Sequence, residues 1–281
     1  VLVTTETFGD RRQDLSIPEL GGKGVFSKEI QQLVLGGEAD LAVHSAKDLQ
    51  AVTPDGLTIA AICARSDARD ALVGSTLDEL PTGATVATGS NRRSALLRDR
   101  RPDLRIVGLR GNIATRLSKL GDRGDDGPAA IVLAATALDR LGLERDDVER
   151  LGADWFVPQV GQGALAVEVP ADNPDLIELV GAADDRPTSM AVRAERSFLS
   201  ELGGDCDLPA GAHAELIEPA DAGDPGGDET EAQIRIRGVL AQPDGTFLQR
   251  AEEIGPPSHD PGRALARTLR KMVEAAAPGH G

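Results

Sequence analysis

The chain has 281 residues, of which 46 are acidic and 30 basic, giving a formal net charge of −16. So acidic a surface repels nucleic acid and anionic membranes, and the absence of tyrosine removes the usual stacking platform for single strands. Hydrophobic residues make up 40% of the chain, enough for two or three domains with separate cores. The two cysteines, Cys63 and Cys206, match neither a disulfide framework nor a zinc motif, so we expect no metal site.

The composition also suggests a compartment. No basic segment followed by an apolar run opens the chain, and no apolar segment approaches the roughly 20 residues that span a bilayer. We therefore expect a cytoplasmic protein. Only 5 of the 30 basic residues are lysine, and this acidic, lysine-poor composition leads to the hypothesis of a high-salt cytoplasm.

Residues 1–5 are predicted to form a short strand, and a glycine-rich turn around Lys23 is predicted to open a helix that runs to about Leu35. Glycines before a helix N-terminus, with a lysine beside them, could hold an anion. The spacing does not match a P-loop, because no Gly-Lys-Ser/Thr follows. A mobile loop is the alternative, and the local pattern favours it.

Residues 40–43 are predicted to form a buried parallel strand that ends in polar residues, among them Ser45, Lys47 and Asp48. Ligands of open α/β sheets bind at the carboxyl ends of strands. An adjacent lysine and aspartate is, however, usually a surface ion pair. The sequence leaves both interpretations open.

A second α/β unit is predicted from about residue 70, after a strand over residues 57–63. Its strands cover residues 84–90, 104–109 and 129–134, and a helix follows each of them. Arg92 and Arg93 open one helix, and Arg110 and Arg116 open the next. Helix N-termini disfavour cations, whereas guanidinium groups pair bidentately with carboxylate or phosphate. The repeated pattern therefore predicts an anionic ligand.

The chain is then predicted to return to the first domain. Gly161 and Gly163 flank Gln162, which indicates a hinge or a close approach of the backbone to a ligand. A helix over residues 187–205 ends at two glycines, and Cys206 follows in a short loop. The thiolate is a strong nucleophile and a loop leaves it reachable. Single cysteines are nevertheless more often small buried hydrophobes.

The C-terminal part is predicted to be a small α+β domain. Three antiparallel strands cover residues 212–217, 233–240 and 246–252, and an amphipathic helix closes the chain over residues 262–275. We predict three domains: residues 1–64 with 158–183, residues 65–157, and residues 184–281.

Together these elements predict two periplasmic-binding-protein-like α/β lobes joined by a hinge, with a third domain presenting Cys206 at the cleft. A cleft with one carboxylate, lysines and at least four arginines suits a ligand that carries several carboxylates. This pattern also fits a plain two-lobed binding protein. The thiol is the feature that indicates covalent attachment.

The chain resembles the porphobilinogen deaminase family over nearly its whole length and in the same order of motifs. The motifs are GGKGVFSKE (21–29), AVHSAKD (42–48), ICARSDARD (62–70), RR (92–93), LRGNIATRLSKL (109–120), VGQGA (160–164), and ERSFL followed by CDLPAG (195–199 and 206–211).

The resemblance implies a monomeric transferase that joins four porphobilinogen molecules, with loss of ammonia at each step, into hydroxymethylbilane. It implies a dipyrromethane cofactor held by a thioether at Cys206. The catalytic group would be Asp48, acting as acid and base and stabilising the cationic azafulvene. By motif position, the cofactor-binding residues would be Lys47, Thr88, Ser90, Arg92, Arg93 and Arg110. The substrate-binding residues would be Lys23, Ser45, Arg116, Arg140 and Gln162.

One departure concerns the start of the chain. The family begins with a strand and a helix that carry a Thr-Arg-x-Ser signature and contribute to the substrate site, and this chain starts after them. We therefore expect the first lobe to be incomplete at its N-terminus. An inactive fragment is accordingly an alternative to the transferase and to the binding protein.

Overall fold

The computed structural model of the chain describes residues 1, 3, 27–120, 127–203, 208–217 and 232–276. Three predictions fall outside these residues: the glycine-rich turn with Lys23, the Cys206 loop and, except for residues 1 and 3, the first strand. None of the described helices is long and apolar enough to cross a membrane.

The elements predicted for the described residues occur in the predicted order, but the strands at residues 70–73 and 148–150 and the helix at residues 174–181 were not predicted. The helices are α1 (Lys28–Leu35), α2 (Asn91–Arg100), α3 (Ile113–Leu117), α4 (Ala135–Arg140), α5 (Pro174–Gly181), α6 (Arg186–Glu201) and α7 (Pro261–Ala276). The strands are β1 (Ala42–Ser45), β2 (Leu57–Ile62), β3 (Asp70–Val73), β4 (Thr85–Ala87), β5 (Arg105–Val107), β6 (Ala130–Ala134), β7 (Val148–Arg150), β8 (Leu165–Pro170), β9 (Ala210–Ile217), β10 (Gln233–Leu240) and β11 (Gln249–Gly255).

The sheet of the first lobe has the described order β1-β8-β2, so the chain does return to this lobe after building the second one. The prediction of a buried parallel strand at residues 40–43 was wrong in this pairing. Strand β1 runs antiparallel to β8, with Ala42 opposite Glu168, and Val43 is 56% exposed. One face of β1 packs on α1 while the other is open, which gives the alternating burial.

The sheet of the second lobe has the order β5-β4-β6-β3-β7. Strand β4 is parallel to β5 and β6, whereas β3 is antiparallel to β6 and β7. Strands β3 and β6 are buried along their whole length. Helices α2 and α4 begin just after β4 and β6 end, so their first turns lie at the carboxyl ends of parallel strands.

The C-terminal unit is a three-stranded antiparallel sheet, β11-β10-β9, packed against α6 and α7. Its core contains Phe198 from α6, Ile234 and Ile236 from β10, and Leu265 and Leu269 from α7. Two α/β lobes and an α+β C-terminal unit confirm the predicted fold class. The limits of the three domains remain a prediction.

Helices α6 and α7 approach closely at Gly262, and this contact yields a prediction. A Cβ atom at residue 262 would lie 1.9 Å from the Ala194 carbonyl oxygen and 2.5 Å from Ser197 Oγ. Gly262→Ala should therefore force the helices apart and cost about 1–3 kcal/mol of unfolding free energy in urea denaturation.

Gly181→Ala is the matched control for this substitution. Gly181 ends α5, and a Cβ atom added there would have no neighbouring atom within 4 Å, so alanine should stabilise the protein by about 0.4–1 kcal/mol. Equal effects of the two substitutions would contradict the close approach of α6 and α7.

Candidate active site

The segment with Lys47 and Asp48 is a short 3-10 turn, Ala46–Asp48, directly after β1. Its backbone is held by the segment that precedes β8, because Ala46 N donates to Ala164 O at 3.0 Å and Gln159 Nε2 donates to Lys47 O at 3.2 Å. The turn therefore holds the Asp48 carboxyl at a fixed place at the end of the sheet.

Gly161 packs against the backbone of this turn. Its φ is +72°, and a Cβ atom there would lie 2.9 Å from the Ala46 carbonyl carbon and 3.0 Å from Lys47 N. Gly163 has φ +89°, and its Cβ would lie 2.7 Å from Ser66 O. At both glycines the close approach is to the backbone of the chain itself, since only glycine adopts these angles without strain and leaves the space free. The predicted hinge and the predicted approach to a ligand stay predictions.

Asp48 is exposed, yet many protein atoms surround its carboxyl at the end of β1. The surrounding protein raises the pKa of Asp48, because it displaces water that would stabilise the carboxylate; Lys47, His44 and Arg116 act in the opposite direction. The same desolvation lowers the pKa of Lys47, which Asp48 partly counteracts. The two neighbouring side chains are thus shifted towards their neutral forms, which suits proton transfer.

Asp70, the first residue of β3, is fully buried and pairs with both arginines that open α2. Arg93 Nη2 and Nε lie 2.6 and 2.9 Å from Asp70 Oδ1, and Arg92 Nη1 lies 2.8 Å from Oδ2. Burial alone would raise the pKa of Asp70, but Arg92 and Arg93 lower it to about 2. The anion that the sequence predicts at this helix start is therefore, in part, a carboxylate of the chain itself.

Arg92 keeps unused hydrogen-bonding capacity. Its Nη1 donates to Val157 O at 2.7 Å, but the buried Nε and Nη2 have no hydrogen-bond partner in the described part of the chain. The Arg92 side chain also lies against Gly211 at the start of β9, where a Cβ atom would be 2.7 Å from Arg92 Cδ. Arg92 thus contacts the C-terminal unit five residues after Cys206 in the sequence.

Gln162 lies in the interior rather than on the wall of the cleft. Its Nε2 donates to Ala68 O at 2.8 Å and to Asp70 Oδ1 at 3.0 Å. Its buried Oε1 has no hydrogen-bond partner among the described residues. Gln162 therefore links the segment after the second lobe to the Asp70 carboxylate.

Arg116, on α3, is the arginine whose positive charge lowers the pKa of Asp48. Burial lowers the pKa of Arg116, the positive charges of Arg93 and Arg110 lower it further, and Asp48 raises it. Arg116 Nε donates to Gly111 O at 2.7 Å, which anchors the side chain at the helix start. The structure thus brings the predicted residues of both helix starts into one electrostatic group with Asp48.

Four further predicted residues, Thr88, Ser90, Arg140 and Ser45, lie in the described part of the chain. Ser90 caps α2, accepting a hydrogen bond from Arg93 N at 3.4 Å, and Thr88 Oγ1 accepts one from Ser90 N at 3.3 Å. Arg140 ends α4, is exposed, and donates to Gly163 O at 3.1 Å. Ser45 is half-buried and closes β1.

Sequence reasoning missed two buried carboxylates that organise these residues, Asp70 and Glu195. Glu195, on α6, accepts hydrogen bonds from Arg65 Nη1 at 2.6 Å, Gly161 N at 2.7 Å and Ala214 N at 2.8 Å. Glu195 therefore links the two segments that connect the lobes, one containing Arg65 and the other Gly161, to the C-terminal sheet. The signal in the sequence was a glutamate between the apolar positions of α6, beside Ala194 and before Phe198.

The fold and site define a class: a two-lobed α/β protein whose cleft places one carboxylate among arginines, joined to an α+β C-terminal unit. Two family models match the chain. Residues 1–178 match "Porphobilinogen deaminase, dipyromethane cofactor binding domain", and residues 189–272 match "Porphobilinogen deaminase, C-terminal domain". The chain belongs to the porphobilinogen deaminase family.

Curated relatives agree with this assignment. The porphobilinogen deaminase of Brevibacillus brevis is 46% identical over 85% of this chain and 74% of its own length. That of Chromobacterium violaceum is 41% identical over 96% of this chain and 83% of its own length. Among solved structures, an ABC transporter from Parabacteroides distasonis aligns with a TM-score of 0.37 and 16% identity over 63% of this chain and 61% of that chain, a similarity too low to bear on function.

Proposed function

We propose that this protein is a transferase that condenses four porphobilinogen molecules stepwise into hydroxymethylbilane, releasing ammonia, for tetrapyrrole and haem biosynthesis. The observation that carries the proposal is the Asp48 carboxyl, held at the end of β1 beside Lys47 and within electrostatic reach of Arg116. Family membership supplies the reaction, and this arrangement supplies a group able to perform it.

Asp48 is proposed as the catalytic residue. Because its pKa is raised, a larger share of its carboxyl is protonated at a given pH, and this proton can pass to the leaving amine of the substrate. The carboxylate that remains opposes the positive charge left on the substrate pyrrole. It then accepts the proton released when the new carbon–carbon bond has formed, so one group serves as acid and as base.

The cationic residues beside Asp48 fit a dipyrromethane cofactor. Buried donors without a partner are rare and costly, and the free Nε and Nη2 of Arg92 would be satisfied by a carboxylate of the cofactor. When bound, the cofactor supplies the pyrrole carbon on which the chain is extended. The residues proposed to hold it are Lys47, Thr88, Ser90, Arg92, Arg93 and Arg110, with a thioether at Cys206.

A second group of residues is proposed to bind incoming substrate. Arg116 and Arg140 would neutralise the acetate and propionate groups of porphobilinogen, and Ser45 and Lys23 would contribute hydrogen-bond donors. Gln162 would act indirectly, by holding Asp70 against Arg92 and Arg93.

Several finer properties belong to the same proposal. The protein would act as a monomer in the cytoplasm, without binding nucleic acid or membranes, and its acidic, lysine-poor surface would suit high salt. The net charge of −16 supports the absence of binding to nucleic acid and anionic membranes, because it repels polyanions.

The proposal is tested by intact mass spectrometry of the purified chain, with Cys206→Ser as the test variant and Cys63→Ser as the matched control. The wild type and Cys63→Ser should carry an added mass equal to two linked pyrrole units, and Cys206→Ser should carry none. An unmodified wild type that is folded, or an adduct that persists in Cys206→Ser, would contradict the proposed attachment.

A further inference from the structure

A cavity lies between the first lobe and the C-terminal unit, and its lining does not include Asp48. Its volume is about 380 Å³. Strand β2 and the loop before it form one wall, and α6 with the start of α7 forms the other. The lining residues that matter are Thr53, Ile59, Ile62, Arg193, Arg196 and Arg263.

Two of the three arginines lack a carboxylate partner. Arg196 Nη2 donates to Thr53 Oγ1 at 3.3 Å and Arg193 Nε donates to Ser189 Oγ at 3.2 Å, but within the described ranges neither has a carboxylate oxygen within 4 Å. Arg263 differs, because Asp260 and Glu201 lie 3.2 and 3.6 Å from its Nε. The cavity thus holds two guanidinium groups that lack a carboxylate at salt-bridge distance among the described residues, in a chain of net charge −16.

The two guanidinium groups are close enough to repel each other. Residues 193 and 196 are three apart on α6, so they share one face of the helix. Burial lowers the pKa of Arg196, the buried Glu168 opposes this effect, and the positive charge of Arg193 lowers the pKa further. An anion between the two arginines would relieve this repulsion.

The other walls of the cavity define the ligand more closely. Ile59 provides an apolar surface opposite the arginines, with the buried Ile62 behind it, and a bare inorganic anion would leave this surface uncovered. A volume of about 380 Å³ lies at the small end of the range for ligand pockets. The cavity is therefore matched to one small molecule with two anionic groups and an apolar body.

We propose that this cavity is a second ligand site, which takes a small dicarboxylate with an apolar body. Its carboxylates pair with Arg193 and Arg196, and its body lies on Ile59. Such a ligand bridges the first lobe and the C-terminal unit. Arg196 is adjacent to Glu195, whose carboxylate holds Arg65 and the Gly161 amide, so occupation stiffens the junction that supports the Lys47–Asp48 turn.

The test is a titration of the full chain with isophthalate, followed by NMR of isoleucine methyl groups. Ile59 and Ile62 report on the proposed site, and Ile113, which opens α3 near Arg116, reports on the catalytic cleft. We expect saturable shifts of Ile59 and Ile62 with isophthalate and none with the neutral isophthalamide. The Arg193→Gln, Arg196→Gln double variant should bind at least tenfold more weakly.

The control variant is Arg145→Gln, which removes an exposed arginine paired with Asp147 far from the cavity in the second lobe and should leave the affinity unchanged. If the double variant does not fold, Arg193→Gln alone keeps the Arg196–Thr53 hydrogen bond and should still weaken binding severalfold. Shifts confined to Ile113, or an affinity unaffected by Arg193→Gln, overturn the proposal. No turnover is measured, so this result is independent of the deaminase activity.

Discussion

Asp48→Asn is expected to lower kcat for hydroxymethylbilane formation by about 10²–10⁴-fold, because asparagine keeps the shape of the side chain but cannot transfer a proton. Asp48→Glu keeps the carboxyl but displaces it, so it should retain more activity than Asp48→Asn. The measurement is steady-state turnover of porphobilinogen as a function of pH. In the wild type, part of the pH dependence of kcat should come from the titration of Asp48, whose pKa is raised. This part of the pH profile should be absent in Asp48→Asn.

Asp55→Asn is the matched control, since Asp55 is an exposed aspartate of the same lobe. It should turn over at the wild-type rate. The same experiment separates the transferase from a two-lobed binding protein and from an inactive fragment. A binding protein would keep its affinity for ligand in Asp48→Asn and show no turnover even as wild type, and an inactive fragment would show no turnover in any variant. Wild-type turnover that survives in Asp48→Asn would exclude Asp48 as the catalytic residue.

Asp70→Ala is expected to cost about 3–5 kcal/mol of unfolding free energy, because it leaves Arg92 and Arg93 buried without their carboxylate. Asp70→Asn should cost about 2 kcal/mol at pH 7, since asparagine resembles a protonated aspartate. The measurement is urea denaturation, with intact mass as a second readout of cofactor loading. Asp99→Asn is the control: its ion pair with Arg250 is on the surface, so the cost should stay below about 1 kcal/mol.

The pH dependence follows from the lowered pKa of Asp70. Folding lowers this pKa from 3.8 to about 2, so the ionised form stabilises the folded state by about 2 kcal/mol above the unfolded pKa. That contribution is lost as the pH falls from about 5 towards 2. The stability gap between wild type and Asp70→Asn should therefore narrow over this interval. A gap that stays constant from pH 7 to pH 3 would show that Asp70 is not ionised in the folded protein.

Much of the architecture could be predicted from local patterns. Strands β2, β6 and β10, the helix start at Asn91 and the helix end before Gly203 lie close to their predicted positions, because hydrophobic periodicity and glycine placement act over a few residues. The motifs around Asp48 and the two helix starts also placed most of the candidate site. Gly203 has φ +100°, as the predicted helix end requires.

The sequence by itself determined the fold class, the order of most elements (all but β3, β7 and α5), the net negative charge and the residue types around Asp48, since each of these is a local or compositional property. Only the tertiary structure showed that β1 pairs antiparallel with β8. It also showed that Arg92 and Arg93 form ion pairs with Asp70, and that Glu195 links the two lobes to the C-terminal unit. The reason is distance along the chain. Arg93 and Asp70 are 23 residues apart, and Gln162 and Asp70 are 92 apart. A local sequence pattern does not predict a contact between residues that only folding brings together. A buried carboxylate is stable only when such a contact provides it with a cation or hydrogen-bond donors.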